Sequence, residues 1–109
     1  MIKKYKLEDF KGGWFIGSFE PTLCKTKSIE VSVKKHPKGE IWDAHYHKIA
    51  TEYNCITEGS VEIDDKIYSK GDIFVVPPEK VVDPNFIEDC TIVCIKIPGE
   101  PNDKYVISN

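Results

Sequence analysis

The sequence predicts an all-β fold, a small antiparallel β-barrel or jelly roll, and three observations predict it. Apolar and polar residues alternate with period two over 28–35, the pattern of a half-buried strand. Short runs rich in β-branched and aromatic residues recur along the chain, separated by turns of Gly, Pro, Asn or Asp. No stretch of useful length carries helical periodicity, an internal repeat or low complexity. Strands of this kind fold into a sandwich or barrel whose inward faces can carry a site.

Taken in order, residues 1–13 begin polar and end at Gly12 and Gly13, with a short helical turn expected over 7–10. Residues 14–19 read as a strand stopped by Pro21. The alternating strand 28–35 runs into His36, read as an exposed strand-end residue before the turn at 37–39. Strands follow over 41–47 and 52–57, the second placing Glu52, Asn54 and Ile56 on one face and Tyr53, Cys55 and Thr57 on the other. Glu58 and Gly59 turn the chain into 60–63, and Asp64 and Asp65 make a tight hairpin back through 66–68. After a turn at 70–72 comes the apolar run 73–76, expected to be buried on both sides and stopped by Pro77 and Pro78. Residues 90–97 form the last long strand. An irregular tail ends the chain, its Lys104, Tyr105, Val106 and Ile107 expected over a barrel end or on a neighbouring subunit. The expected organisation is one domain: an N-terminal segment with an added strand (1–27), the barrel (28–98) and a C-terminal tail (99–109).

A chain of 109 residues is long enough for one hydrophobic core. Its 40% hydrophobic and 30% charged residues are a globular rather than a disordered balance. A net charge of -3 with scattered lysines offers no basic stripe, which argues against nucleic acid as a partner. No apolar run approaches the roughly 20 residues of a membrane span, and the basic start has no apolar stretch behind it to make a signal peptide. Cys24, Cys55, Cys90 and Cys94 form no Cys-x-x-Cys pair, so free and mostly buried thiols in a reducing, cytoplasmic compartment are expected.

The chemistry concentrates in 39–59. His45 and His47 are two apart on a predicted strand, so their side chains share a face at about 6–7 Å, while Tyr46 turns away. Two imidazoles at that spacing can converge on one ion. Glu52 lies five residues beyond His47, far enough for a bend to bring a second strand alongside the first. Two His and one carboxylate on one side of an ion leave its other positions open, the facial arrangement of catalytic sites. A His-x-His pair alone is weak evidence, since strand histidines are commonly plain surface or core residues. The carboxylate and the bracketing glycines strengthen it.

With Gly39, His45, His47, Glu52 and Gly59 at these spacings, the stretch resembles the first motif of the cupin superfamily at every specified position. The second cupin motif is half present. Gly71 and Pro77 stand at the right interval, but Glu79 takes the place of the second glycine and Val82 that of the histidine, and Asn85 falls one residue early. The resemblance spans about residues 29–98. It implies a divalent transition metal (Fe, Mn, Zn or Ni) on His45, His47 and Glu52. Asp83, beside the vacant histidine position, could add a ligand if a bulge turned it inward, and would favour iron or manganese.

The resemblance also implies a homodimer. Residues 14–16 and 92–95 are the apolar candidates for its contact, and open sheet edges need covering in any case. The function expected is a small metal-dependent enzyme acting on a polar small-molecule ligand. A sugar or nucleotide-sugar is the preferred class and isomerase or epimerase the preferred reaction, with the metal as Lewis acid and Asn54 as a substrate contact. No catalytic acid–base residue emerges. The alternatives are a ligand-binding or sensing module without turnover, a non-haem-metal dioxygenase, and a metal-free site whose histidines act directly as acid and base.

Overall fold

In the computed structural model, which describes residues 1–107, two short 3₁₀ turns (Leu7–Asp9 and Lys11–Gly13) lead into the strands. These are β1 (Trp14–Ile16), β2 (Glu30–His36), β3 (His45–Tyr46), β4 (Thr51–Glu58), β5 (Ser60–Ile63), β6 (Lys66–Ser69), β7 (Ile73–Val76), β8 (Cys90–Ile97) and β9 (Tyr105–Val106). The last two residues of the 99–109 tail lie outside the described residues.

Five strands make one antiparallel wall in the order β1-β2-β8-β4-β7. Its register explains the site. Glu30, Lys96 and Glu52 stand side by side across β2, β8 and β4, and Ser32, Cys94 and Asn54 form the next row. Because side chains alternate, both rows share the inward face. The opposite wall is assembled from the pairs β3–β9 and β5–β6, stitched together by residues 82–85: Val82 bridges to His45 and Asn85 to Glu62. Two facing walls, a jelly roll rather than a closed barrel, therefore answer the predicted fold class. Ile56 and Val61, fully buried, centre a core shared with Ile63, Val76, Val82, Phe86, Cys90 and Ile92.

The turns follow their residues. Asp64 and Asp65 both take positive φ (52° and 63°), the two-residue hairpin form that Asp tolerates. Gly59 has φ 76°, and a Cβ there would lie 1.8 Å from the Asp89 carbonyl oxygen, so glycine is required. Glu79 keeps the left-handed conformation (φ 70°) that the glycine of the second motif would adopt freely. Glu79→Gly is therefore expected to raise unfolding stability by about 0.5–1 kcal/mol, the relieved strain outweighing the added chain entropy. Urea denaturation of the two proteins checks this.

Three local expectations are corrected. The strand expected over 41–47 is reduced to His45–Tyr46. Upstream of it, backbone N–H groups of Gly39 and Glu40 are taken by the carbonyls of Phe86 and Pro37, and Ile41 is 92% exposed. The run 73–76 is not buried on both sides: β7 is a sheet edge, with Phe74 and Val76 turned inward and Ile73 and Val75 exposed. His36 is not an exposed strand end. It shares the inward parity of Glu30, Ser32 and Lys34, is buried, and stacks on Phe86 with ring centroids 4.2 Å apart. The four cysteines are free, with Cys90 and Cys94 buried, Cys55 half-buried and Cys24 exposed.

Candidate metal centre and its cavity

Between the walls lies a cavity of about 320 Å³. His45 and His47 enter it from β3 and its end, Glu52 from β4 opposite. Their ligand atoms all lie within 4.8 Å of one another. Both imidazoles are buried, and the ring centroids are 5.5 Å apart. Donors bound at about 2.1 Å to one ion would sit about 3–3.5 Å apart, so modest side-chain rotation closes the set.

The donor chemistry fits an ion. Burial, helped by the nearby Lys104 and Lys96 ammoniums, holds the His45 pKa below its ordinary value despite Glu52 and the Asp43 carbonyl, leaving the ring neutral. His45 Nδ1–H donates to that carbonyl (3.2 Å), which fixes the tautomer and leaves the Nε2 lone pair for the site. His47 is likewise held low, first by burial and then by Lys96 and His45, against the Glu52 carboxylate 3.5 Å from its Nδ1.

One neighbour competes for His47. The Lys96 ammonium, 12% exposed, donates to His47 Nε2 (3.4 Å) and pairs with the buried Glu30 carboxylate (3.2 Å). A neutral imidazole has one lone pair, so Lys96 and an ion cannot both use it. Metal binding at His47 therefore requires Lys96 to retreat onto Glu30.

Val82, at the position of the absent histidine, lines the cavity beside His45; their backbones exchange hydrogen bonds of 2.8 and 3.1 Å. Asp83, next to it, is exposed, does not line the cavity and is outside the three-residue cluster. Asn54 lines the cavity, buried, and its Nδ2 has no hydrogen-bond partner among the described residues.

Sequence reasoning missed several residues at the site. Lys34, Lys96, Glu30 and His36 all line the cavity, as do Trp14 and Trp42. The parity of β2 was the available signal for Glu30, Lys34 and His36. Asp103 had none. Its buried carboxylate, contributed by the tail, accepts from the backbone N–H groups of Lys48 (2.8 Å), Ile49 (3.0 Å) and Ala50 (2.8 Å), and so clamps the link between His47 and Glu52. Of the expected dimer residues, Trp14, Ile92 and Cys94 face the cavity instead.

No known family profile matches the sequence, and no curated protein matches it. Solved structures do. The chain is similar to a conserved protein with a double-stranded β-helix domain from Klebsiella pneumoniae (16% identity, TM-score 0.70, 98% of this chain and 93% of that one). It is also similar to an RmlC-like cupin from Ralstonia eutropha (18%, 0.59, 75% and 57%) and to the DMSP lyase DddQ from Ruegeria pomeroyi (17%, 0.65, 90% and 53%). Likeness at these identities shows a shared fold, the cupin jelly roll, carrying here a His/Glu cluster that lacks one histidine.

Proposed function

We propose that this cupin-fold chain is a metal-dependent enzyme acting on a polar small molecule, with His45, His47 and Glu52 holding a divalent transition metal (iron, manganese, zinc or nickel). The observation that carries the reading is the convergence of three donors to within 4.8 Å at the wall of a ligand-sized cavity. A metal held there supplies Lewis acidity to a substrate oxygen.

The chain's own groups do the rest. Asn54 offers an unpaired Nδ2–H to a substrate acceptor. Lys96 brings a hydrogen-bond donor into the cavity that the sequence alone did not reveal, and Glu30 is placed to hold it away from His47. Proton movement beside a polarised carbonyl suits isomerisation or epimerisation of a sugar-type substrate. Asp83 is left out of the ligand set. The chain acts as a homodimer, since Val31, Ile95, Tyr53 and Val75 make a continuous apolar row on the outer face of the five-strand wall. Four free thiols suit a reducing, cytoplasmic setting. No helix of the described residues is long and apolar enough to cross a membrane.

A metal-free binding or sensing module is the second reading, favoured by the Lys96 contact that occupies His47 Nε2. Elemental analysis of protein purified without added metal separates the two. Near one equivalent of a single transition metal is expected; no metal, with no uptake by the apoprotein from iron, manganese, zinc or nickel salts, would sink the first reading.

A further inference from the structure

The cavity is cationic although the chain is acidic. Three lysines, Lys34, Lys96 and Lys104, line it against two carboxylates, Glu30 and Glu52, in a protein of net charge -3. Glu30 is committed to Lys96. Lys34 and Lys104 have no carboxylate within ion-pair distance among the described residues. Both ammoniums instead lie 4.7 Å from the ring centroid of Trp42, and Lys34 is also 5.2 Å from that of Trp14. An indole attracts a cation, but two ammoniums gathered on one indole repel each other. Burial, then Lys104, pushes the Lys34 pKa down, the response of a charge that lacks its counter-ion. The unpaired, buried Asn54 Nδ2 adds a neutral donor to the same cavity.

We propose that Lys34 and Lys104, on the Trp42 platform, form an anion-binding end of this cavity, and that its ligand is a small hydroxylated carboxylate on the scale of a sugar acid. The inference rests on the cavity being the ligand site of the function proposed above, and names the substrate class for it. The carboxylate meets Lys34 and Lys104, Trp14 and Trp42 flank the carbon skeleton, and Asn54 Nδ2 donates to a hydroxyl or carbonyl oxygen. A carboxylate is favoured over a phosphoryl group because the three lysines and two glutamates of the cavity leave one unbalanced positive charge, which a single negative charge matches.

Calorimetric titration of the purified protein with glucuronate, gluconate and erythronate, each beside a neutral counterpart (glucose, sorbitol, erythritol), tests this. At least one carboxylate is expected to bind about tenfold or more tightly than its counterpart. Lys34→Gln and Lys104→Gln should each weaken it about tenfold, and Lys34→Arg should retain it. Absence of any carboxylate preference, or a preference that survives the double Gln variant, overturns the proposal. Tighter binding of glucose 6-phosphate than of glucuronate overturns it in favour of a phosphoryl ligand. Metal content measured on the same samples keeps the two readings apart. Full metal with no carboxylate preference defeats only this inference, and a lysine-dependent preference in protein that holds no metal and takes none up defeats only the metal reading.

Discussion

Replacing His47 with alanine is expected to weaken divalent-metal binding by roughly 100-fold or more, because the site has only three protein donors and outer-shell partners alone are worth 10–100-fold. Glu52→Gln should act similarly, whereas Asp83→Ala, at an exposed position outside the cavity, should leave the metal untouched. The opposite change is equally informative. Val82 is bridged to His45 in the same wall, so the two side chains share a face and Val82→His would add an imidazole beside the first. Tighter metal binding by about tenfold or more is expected, at a stability cost of about 1–2 kcal/mol for placing a polar ring in a core position. Competition against a calibrated chelator reads all four variants. Unchanged affinity in His47→Ala and Glu52→Gln would remove the cluster as a metal centre.

Asp103→Ala is expected to destabilise the fold by about 3–4 kcal/mol, since three backbone donors, in hydrogen bonds buried at Ala50 and half-buried at Lys48 and Ile49, lose a charged acceptor together. For a domain of this size that is a Tm lower by about 15–25 °C. Asp103→Asn keeps one acceptor oxygen and should lose about half as much. Burial alone would raise the Asp103 pKa, but the N–H groups of Ala50, Lys48 and Ile49, aided by His47, outweigh it and hold the carboxyl below its ordinary 3.8. A folded pKa below the unfolded one contributes stability that is complete above pH 3.8 and fades as pH falls through the lower folded value. The acid limb of the stability profile below about pH 4 should therefore flatten in Asp103→Ala. A melting series from pH 2.5 to 7 checks both claims, and a wild-type-like Tm in Asp103→Ala would refute the clamp.

The strands and turns were legible because they depend on neighbours in sequence. Period two places β2, short runs rich in β-branched residues between turns place β4 and β8, and the paired aspartates place the β5–β6 hairpin. The candidate metal-binding cluster was legible for the same reason, since its three members lie within eight residues. What escaped depends on register between distant strands. Lys96 becomes a neighbour of Glu52 and His47 only once β8 pairs with β4, and Lys104 joins Lys34 only once the tail crosses the opposite wall. The outward face of β7 was misjudged because four consecutive apolar residues look alike whether a sheet edge exposes one side or not. Asp103 was hidden most completely: three backbone N–H groups leave no trace in the residues that carry them.

The donors of the cluster stand on different walls, the imidazoles on the thin one built from short strand pairs and Glu52 on the five-strand sheet. An ion gripped by all three is a cross-link that only the folded chain can make, so occupancy and folding are thermodynamically linked. At a free metal concentration 100 times the dissociation constant, that linkage adds about 2.7 kcal/mol, a large fraction of what a domain of this size holds in reserve. With such an ion bound, the persistence of this protein would be set partly by its surroundings. In metal-poor conditions packing, the Asp103 clamp and the Lys96–His47 hydrogen bond would remain without the cross-link, and metal supply would become a control on how long the chain survives.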